Sequence, residues 1–251
     1  HRTAWNLVGG FDHSLAVAED WDFWLRLAVN GCGFFHVPRT IAYYYWRPNS
    51  RSKNIMLRAE ALKTILDRFW DDPQVSAKFE FYRNLSYASA TLETCVAAMA
   101  VENIPVALKY YDSAIEYEPS TITSIDTYYR IIYADLAAFE TSEDVTHERF
   151  NPEKAVNRIE LILGHIQSSV DIYPTPEYRA ATYAAYVALG KAAYNERRHA
   201  IARKYLRRAL WLNPGNDQNG HVVKTLIKSL LPSSTVGVAR KWRGGWSNGR
   251  I

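Results

Sequence analysis

The stretch AAYVALGKAAYNERRHAIARKYLRRALWLNP, residues 184–214, reads as two helices folded back on each other. Tyr186, Leu189 and Gly190 recur at helical spacing in its first half, and Ala202, Leu206 and Ala209 in its second. Pro214 closes the second helix, because proline lacks the N–H that the next turn needs and its ring collides with the turn before. Small residues at facing positions let two helices approach closely, and the aromatic ring fills the space beside them. A second stretch, TLETCVAAMAVENIPVALKYYDSAIEYEP at residues 91–119, superposes on the first. It puts Ala98, Ala107, Tyr111, Ala114 and Pro119 at corresponding positions, with Cys95 where the first stretch has Gly190.

Both stretches resemble the tetratricopeptide repeat, a helical hairpin that stacks into solenoids and presents a surface for protein binding. Between them, residues 120–180 keep the length of a helical hairpin but lose the alanine and aromatic positions, which predicts a divergent helical pair. Helical runs are expected at 55–70, about 77–101, 104–117, 122–140, 152–169, 177–195, 198–212 and 219–230. The chain thus divides into a mixed segment at 1–52, a helical region at 53–231, and a basic tail at 232–251 that is expected to be flexible. Within the first segment EDWDFWLRLAVNG reads as a short helix stopped by Gly31. GFFHVP and TIAYYYWRP follow as two aromatic strands, each closed by proline. Two strands alone are marginal in water, so they are expected to extend a larger sheet. The expected fold class is mostly α: antiparallel helical hairpins in a short α-solenoid, preceded by a short α/β remnant.

The chain has 251 residues, 48% hydrophobic, with 30 lysines and arginines against 26 acidic residues. That is enough to bury a sizeable core. Arg240, Lys241, Arg243 and Arg250 lie in an acid-free tail, so the net charge of +4 is read as belonging to it, and no nucleic-acid partner is indicated. Six basic residues, Arg197, Arg198, Arg203, Lys204, Arg207 and Arg208, crowd one hairpin. They read as a solvated face or as a surface for an acidic partner or phosphates. Cys32 and Cys95 fit no metal spacing and suit reduced thiols in a cytoplasmic setting, where the expected parent protein is either free or peripheral to a membrane. The seven histidines form no i, i+4 pair, and no apolar run is long enough to span a bilayer.

The opening segment resembles the C-terminal part of the catalytic domain of family 2 glycosyltransferases, inverting enzymes with a GT-A fold. The likeness rests on VGGFDHSL, then AEDWDFWLRLAVNG, then a VP strand leading to YYYWRPNSRS, and covers about 50 residues. It implies that the acidic pair opening the helix, Glu19 and Asp20, faces the acceptor, with Asp20 as general base. Displacement at the anomeric carbon requires the acceptor hydroxyl to lose its proton as the new bond forms. The resemblance further implies that Gly9 and Gly10 let the backbone pass close to the sugars and that Trp21 offers its ring to the acceptor. Many relatives carry a metal-holding histidine after the last strand. Here Arg47 stands nearby, unable to ligate a metal but able to clamp a diphosphate.

Acidic residues also favour first helical turns simply because they complement the helix dipole. Asp22 and Arg26 read as a helix-surface ion pair and Asp12 as a turn residue. The sequence contains no βαβ run and no Asp-x-Asp motif other than Asp20-Trp21-Asp22 inside the helix. The expectation is therefore a fragment, inactive alone, of an enzyme that transfers sugar from a nucleotide-sugar donor to a carbohydrate or glycoconjugate. Any divalent metal, Mg or Mn, belongs to the parent enzyme, and no cofactor is expected in this segment. The alternative is a protein-binding scaffold without catalytic activity, built from the helical hairpins.

Overall fold

The computed structural model describes residues 1–43, 51–139, 150–168, 175–217 and 219–230. In chain order the first helices are α1 (Arg2–Val8), α2 (Glu19–Val29), α3 (Ile55–Asp71), α4 (Pro73–Phe79), α5 (Arg83–Ala100) and α6 (Ile104–Tyr117). They are followed by α7 (Ile125–Ile132), α8 (Ala134–Phe139), α9 (Pro152–Ser168), α10 (Pro176–Asn195), α11 (His199–Leu212) and α12 (Asn219–Leu230). The described residues fall into two compact units, one of 1–121 with 134–139 and one of 122–133 with 150–230.

Local chemistry sets most of the helix starts. Asn54 caps α3 by accepting from the Leu57 N–H at 3.0 Å, and Thr175 caps α10 by accepting from Tyr178 at 3.1 Å, with Pro176 in the first turn. Asp72 accepts from the Gln74 N–H at 2.8 Å and Pro73 takes the first helical position, so a helix begins four residues before the expected run at 77. That helix, α4, gives way to a 3-10 turn at Glu80–Tyr82 before α5. The run expected at 122–140 is likewise divided. It parts at Tyr133, whose N–H turns back to the Tyr129 carbonyl at 3.1 Å. The remaining expected runs appear within two residues of their predicted ends, and α1 is an addition that the sequence reading did not contain.

The first unit builds its core from Leu66, Trp70, Val75 and Tyr87, with Val29, Phe69 and Tyr117 packed against them. Trp70 donates to the Ser86 hydroxyl at 2.8 Å, so its indole N–H is satisfied within that core. Tyr87 donates to Asp67 at 2.8 Å. Burial and the neighbouring carboxylate together push its phenol above the ordinary tyrosine range. The second unit packs Tyr183, Val187, Leu206, Ala209 and Val222 together.

Each unit contains one long helical hairpin, α5–α6 and α10–α11, and the two correspond at a constant offset of 95 residues. In each, one non-glycine residue closes the turn in the left-handed region, Glu102 at φ 58° and Arg197 at φ 60°. The capping bonds also match: Asn103 N–H to Ala98 O at 2.9 Å and Arg198 N–H to Ala193 O at 2.8 Å. Ala98, Ala107, Tyr111 and Ala114 are fully buried in the first hairpin, as are Leu189, Ala202, Leu206 and Ala209 in the second. Gly190 is needed for close approach, since a Cβ there would lie 2.6 Å from Leu206 Cγ. Cys95 occupies the matching place in α5 and is also fully buried.

The expected strand pair is not found among the described residues. Residues 33–43 form no ladder, and Phe34, Phe35, Ile41 and Tyr43 are exposed. A strand is held by backbone bonds to a neighbouring strand, and no described segment supplies one. Residues 44–50, Arg47 among them, and the tail from 231 lie outside the described residues.

Candidate functional site

The double glycine ends α1. The N–H groups of Gly9 and Gly10 both turn back to the Trp5 carbonyl, at 3.0 and 3.2 Å, and their φ angles of 77° and 79° are left-handed. Gly10 is constrained twice, because a Cβ on it would come within 2.6 Å of Trp5 Cζ2. The Trp5 ring also meets Phe11 and Phe23, each at 5.2 Å between centroids, and so ties α1 to α2. At the start of α2, Ala18 sits at φ 61° and offers no side-chain cap, so Glu19, Asp20 and Asp22 are the charges facing the positive end of the helix. At its end Gly31, at φ 73°, completes the cap by donating to Ala28 O at 3.0 Å, with Cys32 donating to Leu27 O at 3.0 Å.

Arg26 joins these pieces. Its Nε and Nη2 donate to Asp22 Oδ2 at 2.8 and 2.6 Å, Nη1 donates to the Val8 carbonyl, and Nη2 also donates to the Gly10 carbonyl at 2.8 Å. The planar guanidinium fork thus holds the double-glycine turn against α2. This corrects the expectation of a surface ion pair: Asp22 is only 6% exposed, and its carboxylate is part of the interior. Asp12 does act as a turn residue, accepting from the Ser14 N–H at 2.8 Å, and it also bonds Arg68 Nη1 at 2.6 Å across from α3. The Ser14 hydrogen bonds and the Arg68 guanidinium hold its carboxyl at about 2.

These groups border a cleft of about 580 Å³ between the double-glycine turn, α2 and α3. Gly9, Gly10, Asp12, Asp22, Arg26 and Arg68 are among its lining residues. Of the residues singled out from the sequence, the two glycines therefore lie on the cleft, whereas Glu19, Asp20 and Trp21 are exposed on the first turn of α2 and are not part of its wall. Asp20 Oδ1 accepts from the Trp21 N–H at 2.9 Å. Trp21 is 44% exposed, as is about half of Trp24, while Phe23 is half-buried against Trp5 and Phe11. Arg26 and Arg68 were not picked out as site residues. The spacing of Asp22 and Arg26 signalled the ion pair, but no sequence pattern reveals acceptors that are backbone carbonyls.

The Asp20-Trp21-Asp22 triplet does not suit a metal. Residues two apart on a helix point away from each other, and the Asp22 carboxylate is already bound by Arg26. Among the described residues no three histidine, cysteine, aspartate or glutamate side chains converge in a metal-sized cluster. No helix among them is long and apolar enough to cross a membrane. Cys95 is buried and Cys32 half-buried, and neither is in a disulfide. No family model matches the chain, and no curated protein or solved structure matches it.

Proposed function

We propose that these residues include the acceptor side of an inverting, GT-A-type glycosyltransferase of family 2, in which Asp20 removes the proton from the acceptor hydroxyl. The observation that carries the reading is the division of labour on α2. Asp22 is buried and held by Arg26, so the helix is fixed to the double-glycine turn, while Asp20 and Glu19 stand open at its first turn. A base has to be well placed and still reachable by the substrate, and the anchored helix together with the open position of Asp20 supports that role. Trp21 beside it offers a half-exposed ring to stack on a sugar. In the reaction, the acceptor oxygen attacks the anomeric carbon as its proton passes to Asp20, and the nucleotide diphosphate leaves with the electron pair of the broken bond. The reading assigns donor binding to a Rossmann-like half, for which the sequence shows no βαβ run. Residues 1–251 alone are therefore expected to transfer no sugar.

The test is transfer from labelled nucleotide sugars by the encoded protein. Asp20→Asn, which keeps the shape and removes the basicity, is expected to lower turnover by about a hundredfold or more with folding preserved. An unchanged rate would exclude Asp20 as the base.

A second reading is a tetratricopeptide-like scaffold that binds protein. The two hairpins favour it, because they share their buried alanines, their left-handed turn residue and a constant offset of 95 residues. The readings are compatible if the hairpins serve the enzyme. A protein with no transferase activity that captures a partner through residues 53–231 would leave the scaffold alone standing.

A further inference from the structure

Charge is distributed unevenly along the chain. Of its 30 lysines and arginines, 12 follow Glu196, where Asp217 is the one acidic residue, whereas residues 1–196 hold 18 basic against 25 acidic side chains. The basic excess thus begins at the last hairpin and does not belong to the tail alone. The described part of this stretch is α11 and α12, which pack on each other with Arg203 Nη1 donating to the Ser229 carbonyl at 2.8 Å.

α11 buries Ala202, Tyr205, Leu206 and Ala209 and turns Lys204, Arg207, Arg208 and Trp211 outward. Spacings of three, four and seven put those four on one face, and Trp211 is 83% exposed. α12 buries Val222 and Ser229 and leaves Val223, Ile227 and Leu230 exposed at spacings of four and three, with Lys224 and Lys228 exposed beside them. Water is a poor environment for such a tryptophan and such an aliphatic stripe. A nucleic acid or an acidic peptide would satisfy the cations but leave the aliphatic stripe of α12 uncovered. A bilayer carrying anionic headgroups satisfies both, because phosphates meet the lysines and arginines while the tryptophan and aliphatic groups enter the headgroup boundary.

We propose that the exposed faces of α11 and α12 form a docking surface for a membrane rich in anionic phospholipid. The proposal does not depend on the glycosyltransferase reading. Its test is sedimentation of the 251-residue chain with vesicles of pure phosphatidylcholine and with vesicles of phosphatidylcholine mixed with phosphatidylglycerol. Binding is expected on the mixed vesicles, weak or absent on the neutral ones, and reduced by salt. Each cation near such a surface is worth about fivefold in partitioning, so Lys204→Glu with Arg207→Glu and Arg208→Glu is expected to lower binding by about a hundredfold or more. Lys204 and Arg208 also lie against the Tyr205 ring, so the exposed pair Lys224→Glu with Lys228→Glu gives an independent reading, with a loss of about tenfold or more. Ile227→Asp is expected to weaken binding to the mixed vesicles with helicity unchanged. Equal binding to both kinds of vesicle, unimpaired binding by the folded charge-reversal variants, or tighter binding to a single-stranded oligonucleotide or to polyglutamate than to the mixed vesicles would overturn the proposal.

Discussion

Arg26 has each of its nitrogens on an acceptor, two of them main-chain carbonyls that lie 16 and 18 residues away. Lysine in its place keeps the charge and loses the fork, so Arg26→Lys is expected to destabilise the first unit by about 1–3 kcal/mol, read from the urea midpoint. The two glycines separate conformational strain from collision. Gly9→Ala meets nothing within 4 Å and is expected to cost about 1–2 kcal/mol for its left-handed φ alone, whereas Gly10→Ala also strikes Trp5 and is expected to cost more. Asp12 makes stability depend on acid. Its folded-state value of about 2 lies below that of an unfolded aspartate, so its contribution is complete above about pH 4 and is lost as the pH falls toward 2. Asp12→Asn should therefore flatten the decline of the urea midpoint across that window. A decline as steep as that of the parent protein would remove Asp12 from the account.

The two hairpins predict a loss from opposite changes at matching positions. Gly190→Ala drives a Cβ toward Leu206 Cγ at 2.6 Å and the Leu206 backbone N at 3.2 Å, and is expected to lower stability by about 1–3 kcal/mol. Cys95→Gly opens a void at a fully buried place and adds backbone freedom inside a helix, and is expected to cost about 1–3 kcal/mol. Calorimetry on the two variants checks both, and a stabilising Gly190→Ala would show that the close approach is not needed. These hairpins were legible in the sequence because their packing is local: the alanine spacing and the proline stops are enough to define two neighbouring helices. The breaks at Glu80–Tyr82 and Tyr133 were not, since each is a change of backbone that no proline or glycine marks. α1 was missed for a related reason. Its seven residues bury none of their side chains fully, and what holds it is the Trp5 ring among Phe11 and Phe23 together with the Arg26 bond to the Val8 carbonyl. The strand pair was read from aromatic content, which cannot supply the hydrogen-bonding neighbour that a strand needs.

The chain as a whole combines an acidic first part, where Arg26 and Arg68 stitch the opening segment to the helices, with a basic final hairpin. Its candidate site was legible only in outline. The acidic pair and the double glycine stand out in the sequence, but nothing in the sequence separates the carboxylate that is buried from the one that is open. That separation is the core of the functional account, and Asp20 and Asp22 test it side by side. The measurement is sugar-transfer turnover together with the urea midpoint, made on the encoded protein carrying either Asp20→Asn or Asp22→Asn. The account predicts that Asp20→Asn loses about a hundredfold or more in turnover at an unchanged midpoint, and that Asp22→Asn lowers the midpoint by loosening Arg26. Parental turnover with asparagine at position 20 would contradict it.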